Sequence, residues 1–172
     1  LDNVTGWLAE TSPDIVCLQE TKGVDETFPR EAFESAGYNV AIHGQKALNG
    51  VAILSRLPFD EVMPRLPGSL EDEQARFLEA VVSTPSGVLR VASLYLPNGN
   101  PPLTERYTYK LKWMERLLHY VPERLALEEP LVLAGDYNVI PEARDVYDPP
   151  AWVTDALFRP ETRERFRMLL NL

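Results

Sequence analysis

An acid and an amide stand two residues apart, directly after a short apolar run late in the chain. Residues 131–134 are apolar, Gly135 follows, and Asp136 and Asn138 come next. The run predicts a short buried strand, and ligands of α/β proteins bind beyond the carboxyl ends of such strands. A carboxylate and an amide at that place could carry chemistry. Taken alone, the stretch is more simply interpreted as a strand followed by an Asx turn, because Asp and Asn both favour turns.

Two other predicted strands also end in polar side chains. The apolar residues 15–18 run into Glu20, and the predicted strand 88–96 carries Tyr95 near its end. Each has an ordinary alternative: Glu20 as a solvated acid at a strand end, and Tyr95 as an edge-strand aromatic with a wet hydroxyl. Three predicted strands nevertheless end in polar residues of complementary chemistry, which favours a functional site at these strand ends.

The elements that would position these residues follow from the hydrophobic pattern. We expect helices at 1–11, 29–36, 104–127 and 160–170, strands at 15–18, 38–43, 50–55, 77–82, 88–96 and 131–134, and loops at 56–75 and 141–159. Strands 38–43 and 50–55 predict a hairpin. The pattern indicates one domain over residues 1–172, with two packed, mostly antiparallel sheets and helices outside.

The longest predicted helix, 104–127, has the clearest apolar stripe. The stripe consists of Tyr107, Leu111, Met114, Leu117 and Leu118, with basic residues on the other faces.

The net charge of −9 argues against a protein that coats DNA without specificity, since such proteins are normally basic. It does not exclude a nuclease that uses a divalent metal ion and a local basic strip. No apolar run approaches the roughly 20 residues that span a bilayer. The single cysteine, Cys17, lies in an apolar run and is expected to be a buried free thiol. We expect a monomer in the cytoplasm without membrane contact.

Five segments, taken in order, resemble one family. They read DIVCLQETK at 14–22, HGQK at 43–46, GVAIL at 50–54, YLPNG at 95–99 and GDYN at 135–138. Each motif alone is weak, but the ordered set is specific. It resembles the endonuclease/exonuclease/phosphatase family, in its exonuclease III and AP endonuclease branch.

The resemblance implies a four-layer α/β/β/α sandwich of two mostly antiparallel sheets with outer helices, incomplete at both termini. It implies Mg²⁺-dependent hydrolysis of DNA phosphodiesters in base-excision repair, with Mn²⁺ as an alternative ion. The implied substrates are double-stranded DNA with an abasic site and the 3′ ends of duplex DNA.

The resemblance also implies roles for single residues. Glu20 would hold the metal ion, which prefers oxygen ligands. Asp136 would orient or deprotonate the attacking water, and Asn138 would donate its amide to the phosphate. Tyr95 would offer its hydroxyl to a phosphate oxygen as charge builds there.

A second set of residues would contact DNA. These residues are Lys110, Asn98, Arg76, Gln45 and Lys46. For Lys110, a solvated helix face is an equally good interpretation. Neither His43 nor His119 has the Ser-Asp-His context of the family's catalytic histidine, and neither is assigned chemistry.

Parts of the family pattern have no match here. An early Trp/Phe-Asn-X-Asn motif, a second aspartate and the closing Ser-Asp-His are not found between Leu1 and Leu172. This segment is therefore expected to lack part of the active site. Two alternatives remain: a phosphatase of the same superfamily that acts on inositol phosphates or sphingolipids, and a non-catalytic DNA- or protein-binding remnant. The LQETK and HGQK segments favour the DNA branch.

Overall fold

The computed structural model describes residues 1–172, which form two compact units. The first unit comprises residues 1–95 and 129–135, and the second comprises residues 96–128 and 136–172. The helices are α1 (Asp2–Thr11), α2 (Arg30–Ser35), α3 (Glu105–Leu125), α4 (Pro149–Trp152) and α5 (Pro160–Leu170). The strands are β1 (Ile15–Gln19), β2 (Asn39–His43), β3 (Val51–Ser55), β4 (Phe59–Pro64), β5 (Phe77–Thr84), β6 (Gly87–Tyr95) and β7 (Leu131–Asp136).

A three-stranded sheet in the order β1-β3-β2 lies at the centre of the first unit. Both pairings are antiparallel, and Leu54 of β3 is opposite Val16 on one side and Val40 on the other. The pairing of β2 with β3 confirms the predicted hairpin. One face of this sheet packs against α1 and α2, where Leu8 and Phe33 join the same buried cluster.

A four-stranded sheet in the order β4-β5-β6-β7 packs on the other face of the first sheet. Small and branched side chains fill the space between the sheets: Ala41, Val51 and Ile53 from one sheet, and Leu78 and Ala80 from the other. The first unit therefore contains a helical layer and two sheet layers.

Strand β4 was not predicted, because residues 56–75 were expected to be a loop. Of the prolines that suggested a loop, Pro58 lies before the strand, Pro67 lies after it, and Pro64 is its last residue, opposite Leu78. β4 is an edge strand with mostly exposed residues. Edge strands tolerate proline because one side of the backbone donates no ladder hydrogen bonds.

Strand β7 exists, but the prediction that it is buried was wrong. It is the edge of its sheet, and Val132 is 45% exposed. A run of four apolar residues indicates strand propensity, but it does not tell a central strand from an edge strand.

The second unit is built on α3, which packs against α5. The hydroxyl of Tyr107 on α3 lies 3.2 Å from the hydroxyl of Thr162 on α5, and both residues are buried. The predicted stripe is only partly correct. The buried face consists of Tyr107, Lys110, Trp113, Met114, Leu117, Tyr120 and Val121, whereas Leu111 and Leu118 are half-buried.

None of the helices has both the length and the apolar character needed to cross a membrane.

Candidate active site

Glu20 and Tyr95, which are 75 residues apart in sequence, form a hydrogen bond in the first unit. The Tyr95 hydroxyl donates to Oε1 of Glu20 at 3.0 Å, and Nζ of Lys22 lies 2.8 Å from Oε2. The hydrogen bond from Lys22 lowers the pKa of the Glu20 carboxyl, and the Tyr95 hydroxyl and the charge of Arg76 lower it further. Glu20 is therefore an exposed, ionised carboxylate whose two oxygens are oriented by neighbours.

The backbone around Glu20 adopts an uncommon conformation. Glu20 has a φ of 57° and Lys22 a φ of 54°, both in the left-handed region. Such values cost free energy for residues with a Cβ atom and are concentrated at functional sites. The turn after β1 is held against Gly50, where a Cβ atom would lie 2.0 Å from the buried Thr21 hydroxyl.

Arg76 fixes the position of Tyr95. Its guanidinium lies over the tyrosine ring, 4.9 Å from the centroid, and donates to the Tyr95 carbonyl oxygen. The Tyr95 amide in turn donates to the Arg76 carbonyl oxygen at 2.8 Å. Because the single hydroxyl hydrogen of Tyr95 is engaged by Glu20, this hydroxyl orients the carboxylate in the structure.

A divalent cation fits this arrangement by its donor chemistry. Mg²⁺ keeps several waters and is commonly held by one or two carboxylates together with substrate phosphates. The first unit offers Glu20 as such a ligand, and no group of three or more His, Cys, Asp or Glu side chains forms a closed metal cage. The residues therefore fit an open divalent-cation site, not a structural metal site.

Gln45 and Lys46 have different surroundings in the loop after β2. Oε1 of Gln45 accepts hydrogen bonds from the Asn49 side chain at 2.7 Å and from the Ala75 amide at 3.1 Å. Its carbonyl end therefore ties two loops together, whereas Lys46 is exposed. A role of either residue in DNA contact stays a prediction.

The two histidines contact backbone carbonyl oxygens. Nδ1 of His43 lies 3.2 Å from the Phe77 oxygen, and Nδ1 of His119 lies 2.7 Å from the Glu115 oxygen one helical turn earlier. Each histidine is thus held against a backbone carbonyl oxygen, and neither is assigned chemistry.

Asp136 and Asn138 form a second cluster, in the second unit. Oδ1 of Asp136 accepts a hydrogen bond from the Asn138 amide at 2.8 Å, which is the Asx turn anticipated for this stretch. Asn138 has a φ of 46°, and its Nδ2 donates to the Leu96 oxygen at 2.8 Å. The Asn98 side chain donates to Oδ1 of Asn138 at 3.3 Å. The Asx turn thus holds a carboxylate and an amide in defined orientations.

Lys110 belongs to this cluster, but not in the predicted way. Its side chain has no exposed surface, and Nζ donates to the carbonyl oxygens of Asn98 and Asn138. Burial lowers its pKa from 10.5 to about 7, although the nearby Asp155 and Asp136 oppose this effect. The solvated-face interpretation was wrong, and a buried ammonium directed at two carbonyls is not available to a DNA phosphate.

Sequence reasoning missed several partners in these clusters. Asn100 bridges to a later segment, since its Nδ2 donates to Asp155 at 3.0 Å and its Oδ1 accepts from the Ala156 amide. Nothing in the local pattern signals a contact across 55 residues. The burial of Lys110 did have a signal, because it lies three residues after Tyr107 and four before Met114 on one helical face.

Comparison with known proteins identifies the family of the chain. The endonuclease/exonuclease/phosphatase family matches residues 1–164, and the chain belongs to this family. The nucleases of the family depend on a divalent metal ion.

Its relatives are DNA-processing enzymes. Exodeoxyribonuclease III of Haemophilus influenzae is 35% identical over 135 residues, which are 78% of this chain and 51% of that protein. An exodeoxyribonuclease of Bacillus subtilis is 32% identical over 166 residues, or 96% of this chain and 63% of that protein. The chain thus spans between half and two thirds of the length of these relatives.

Solved structures show the same fold. An AP endonuclease from Archaeoglobus fulgidus is 36% identical with a TM-score of 0.90, over 98% of this chain and 63% of that one. A 3′ phosphatase from Neisseria bound to a product DNA hairpin is 34% identical with a TM-score of 0.93, over 99% of this chain and 65% of that one. The predicted family branch and the α/β fold of two sheets with helices are therefore confirmed.

Proposed function

We propose that this chain is part of a DNA repair nuclease that hydrolyses phosphodiesters at abasic sites and at 3′ ends of duplex DNA. The observation that carries the proposal is the 32% identity with an exodeoxyribonuclease across 96% of the chain. The chain has a carboxylate at the end of β1 and a carboxylate–amide pair that begins at the end of β7.

Asp136 and Asn138 are proposed to act on the attacking water and the phosphate. Oδ1 of Asp136 is occupied by the Asn138 amide, so Oδ2 is the oxygen that is free to accept a proton from water. One hydrogen of Asn138 Nδ2 donates to Leu96, so the other remains for a phosphate oxygen. A positioned general base contributes about 10²–10⁴-fold to rate.

Glu20 is proposed to hold the metal ion, with Mg²⁺ as the expected ion and Mn²⁺ as a substitute. When bound, the ion supplies Lewis-acid stabilisation of charge on phosphate oxygens. The lowered pKa of Glu20 keeps the carboxylate ionised well below neutral pH. The contribution of the Tyr95 hydroxyl is to orient this carboxylate, and Arg76 holds the tyrosine ring.

DNA is the proposed partner, and the protein is proposed to act as a monomer in the cytoplasm. The net charge of −9 means that affinity for DNA depends on local cations and on metal, not on the overall field. The exposed Lys46 is the proposed phosphate contact in the loop after β2.

The experiment is cleavage of a fluorescently labelled duplex that contains one abasic-site analogue, with Mg²⁺ and with EDTA. We expect metal-dependent incision by the protein of which this chain is part, and a loss of about 10²-fold or more in Asp136→Asn and Glu20→Gln. Asp60→Asn and Glu26→Gln are matched controls because both acids are exposed and lie outside the two clusters.

Two outcomes would contradict the proposal. One is incision in EDTA at the rate seen with Mg²⁺, and the other is full activity of Asp136→Asn. A chain that binds the duplex in EDTA, measured by fluorescence anisotropy, but never cleaves it would support the non-catalytic alternative. No relative found favours the inositol phosphate or sphingolipid alternative.

A further inference from the structure

Lys110 is a buried lysine whose amino group donates to backbone carbonyl oxygens. It lies on the buried face of α3, has no exposed surface, and donates to the Asn98 oxygen at 3.1 Å and to the Asn138 oxygen at 2.5 Å. A lysine is almost never fully buried unless its ammonium is paired or hydrogen-bonded. These two bonds link the segment after β6 to the segment after β7.

The segment after β6 is shaped around the lysine. A Cβ atom on Gly99 would lie 2.6 Å from Cδ of Lys110, and Gly99 has a φ of 83°. The absence of a side chain therefore lets residues 98–100 pass directly over the aliphatic part of Lys110. The close approach indicates that the loop and the lysine are fitted to each other.

Lys110 completes the set of hydrogen bonds that fixes Asn138. The amide of Asn138 donates to Asp136, its Nδ2 donates to Leu96, and its Oδ1 accepts from Asn98. Lys110 occupies the remaining acceptor, the backbone oxygen. With all four groups engaged, Asn138 keeps one free Nδ2 hydrogen in a fixed direction.

We infer that Lys110 is a positioning residue, which orients Asn138 and Asp136 through the backbone and does not contact DNA itself. This inference rests on the proposed function for its catalytic meaning. A lysine that only fills the interior would stabilise the second unit as a whole. A positioning lysine affects the two tethered segments selectively, so the two roles predict different results.

The experiment compares Lys110→Met, which keeps the length but removes the donors, with Lys112→Met, an exposed lysine on the same helix. Amide hydrogen exchange is measured by mass spectrometry, and kcat and KM are measured on the abasic-site duplex. For Lys110→Met we expect faster exchange confined to residues 96–100 and 136–139. We also expect kcat to fall about 10²-fold at nearly unchanged KM, since small displacements of catalytic groups have such effects. Lys112→Met should match the unmodified chain in both assays.

Three results would overturn the inference. Unchanged exchange in both segments would show that Lys110 does not hold them, and faster exchange throughout α3 and α5 would show a general structural role. A rise in KM with kcat unchanged would show that Lys110 contacts substrate. If the unmodified protein of which this chain is part cleaves nothing, the proposed function fails, while the exchange data still test the tether.

Lys110→Arg and Gly99→Ala keep the inference testable if Lys110→Met does not fold. Arginine retains donors and should partly restore the protection of residues 136–139. Gly99→Ala leaves the ammonium in place but displaces the loop by its contact with Lys110. It should therefore accelerate exchange at 96–100 more than at 136–139, and equal effects on both segments would contradict the geometry.

Discussion

Replacing Lys110 with methionine should change how the stability of the chain depends on pH. Burial lowers the pKa of Lys110 from 10.5 to about 7. Between these values the unfolded chain holds a proton that the folded chain lacks, so stability rises as the pH increases through this window. Below about pH 7 both states are protonated, and the cost of burying the charge is fully present.

The magnitude follows from the two pKa values. Between about pH 7.5 and pH 9.5, the linkage relation gives an increase of about 2.5 kcal/mol in the free energy of unfolding from this one group. Lys110→Met has no such group. Over the same pH range, its free energy of unfolding should therefore increase by about 2.5 kcal/mol less than that of the unmodified chain. The raised pKa of the Cys17 thiol, about 11, affects both proteins alike and cancels in the difference.

The assay is urea denaturation at several pH values, followed by the fluorescence of tryptophan; Trp113 is 1% exposed. Lys112→Met controls for the loss of a positive charge from α3. Parallel pH profiles for the unmodified chain and Lys110→Met would refute the reasoning. Such a result would mean that the two carbonyl oxygens hold the ammonium charged at all pH values tested.

Three other substitutions test separate features. Gly135→Ala should unfold the chain or cost more than about 3 kcal/mol in urea denaturation, because its φ is 148° and a Cβ atom would lie 1.9 Å from the Leu94 oxygen. Tyr95→Phe removes one of the hydrogen bonds that lower the pKa of Glu20, so a carboxyl titration by NMR should show this pKa rise. Arg90→Met leaves a buried carboxylate without its ion-pair partner at 2.7 Å and should cost about 3–5 kcal/mol.

Each has an outcome that would contradict it, and the glycine variant also has a matched control. Gly6→Ala is the control for the glycine, because a Cβ atom there meets nothing within 4 Å. Equal stability of the two glycine variants would disprove the close approach. An unchanged pKa of Glu20 in Tyr95→Phe would show that the Tyr95 hydroxyl does not help to lower it. A loss under about 1 kcal/mol for Arg90→Met would place that pair among weak surface ion pairs.

Sequence patterns located the strand ends but not the contacts between them. Alternating and continuous apolar runs identified the strands that end at Glu20 and Tyr95, because burial imposes those patterns. The hydrogen bond between the two side chains spans 75 residues and depends on sheet packing, which no local pattern encodes. The same limit applies to Val132, since its exposure depends on which strands neighbour β7.

The error on Lys110 has a different origin. Its charge suggested solvent, but its spacing from Tyr107 and Met114 placed it on the buried face. The charge of the side chain indicated an exposed position, whereas the helical spacing indicated a buried one, and the helical spacing was correct. Burial is possible because two backbone carbonyl oxygens accept hydrogen bonds from the amino group. The edge strand β4 was missed for a similar reason, because proline was taken to exclude a strand, whereas an edge tolerates it.

The left-handed backbone at Glu20 and Asn138 has a consequence for engineering. Glycine adopts that conformation without steric strain, so Glu20→Gly relieves about 1 kcal/mol, and Asn138→Gly relieves less because asparagine tolerates it better. A library of variants selected only for thermal stability would therefore accumulate glycine at Glu20, the proposed metal ligand, and at Asn138, the proposed hydrogen-bond donor to phosphate. At each of these positions, the substitution that raises thermal stability would remove a group proposed to act in catalysis. Any stabilised version of this protein needs both positions held constant during selection.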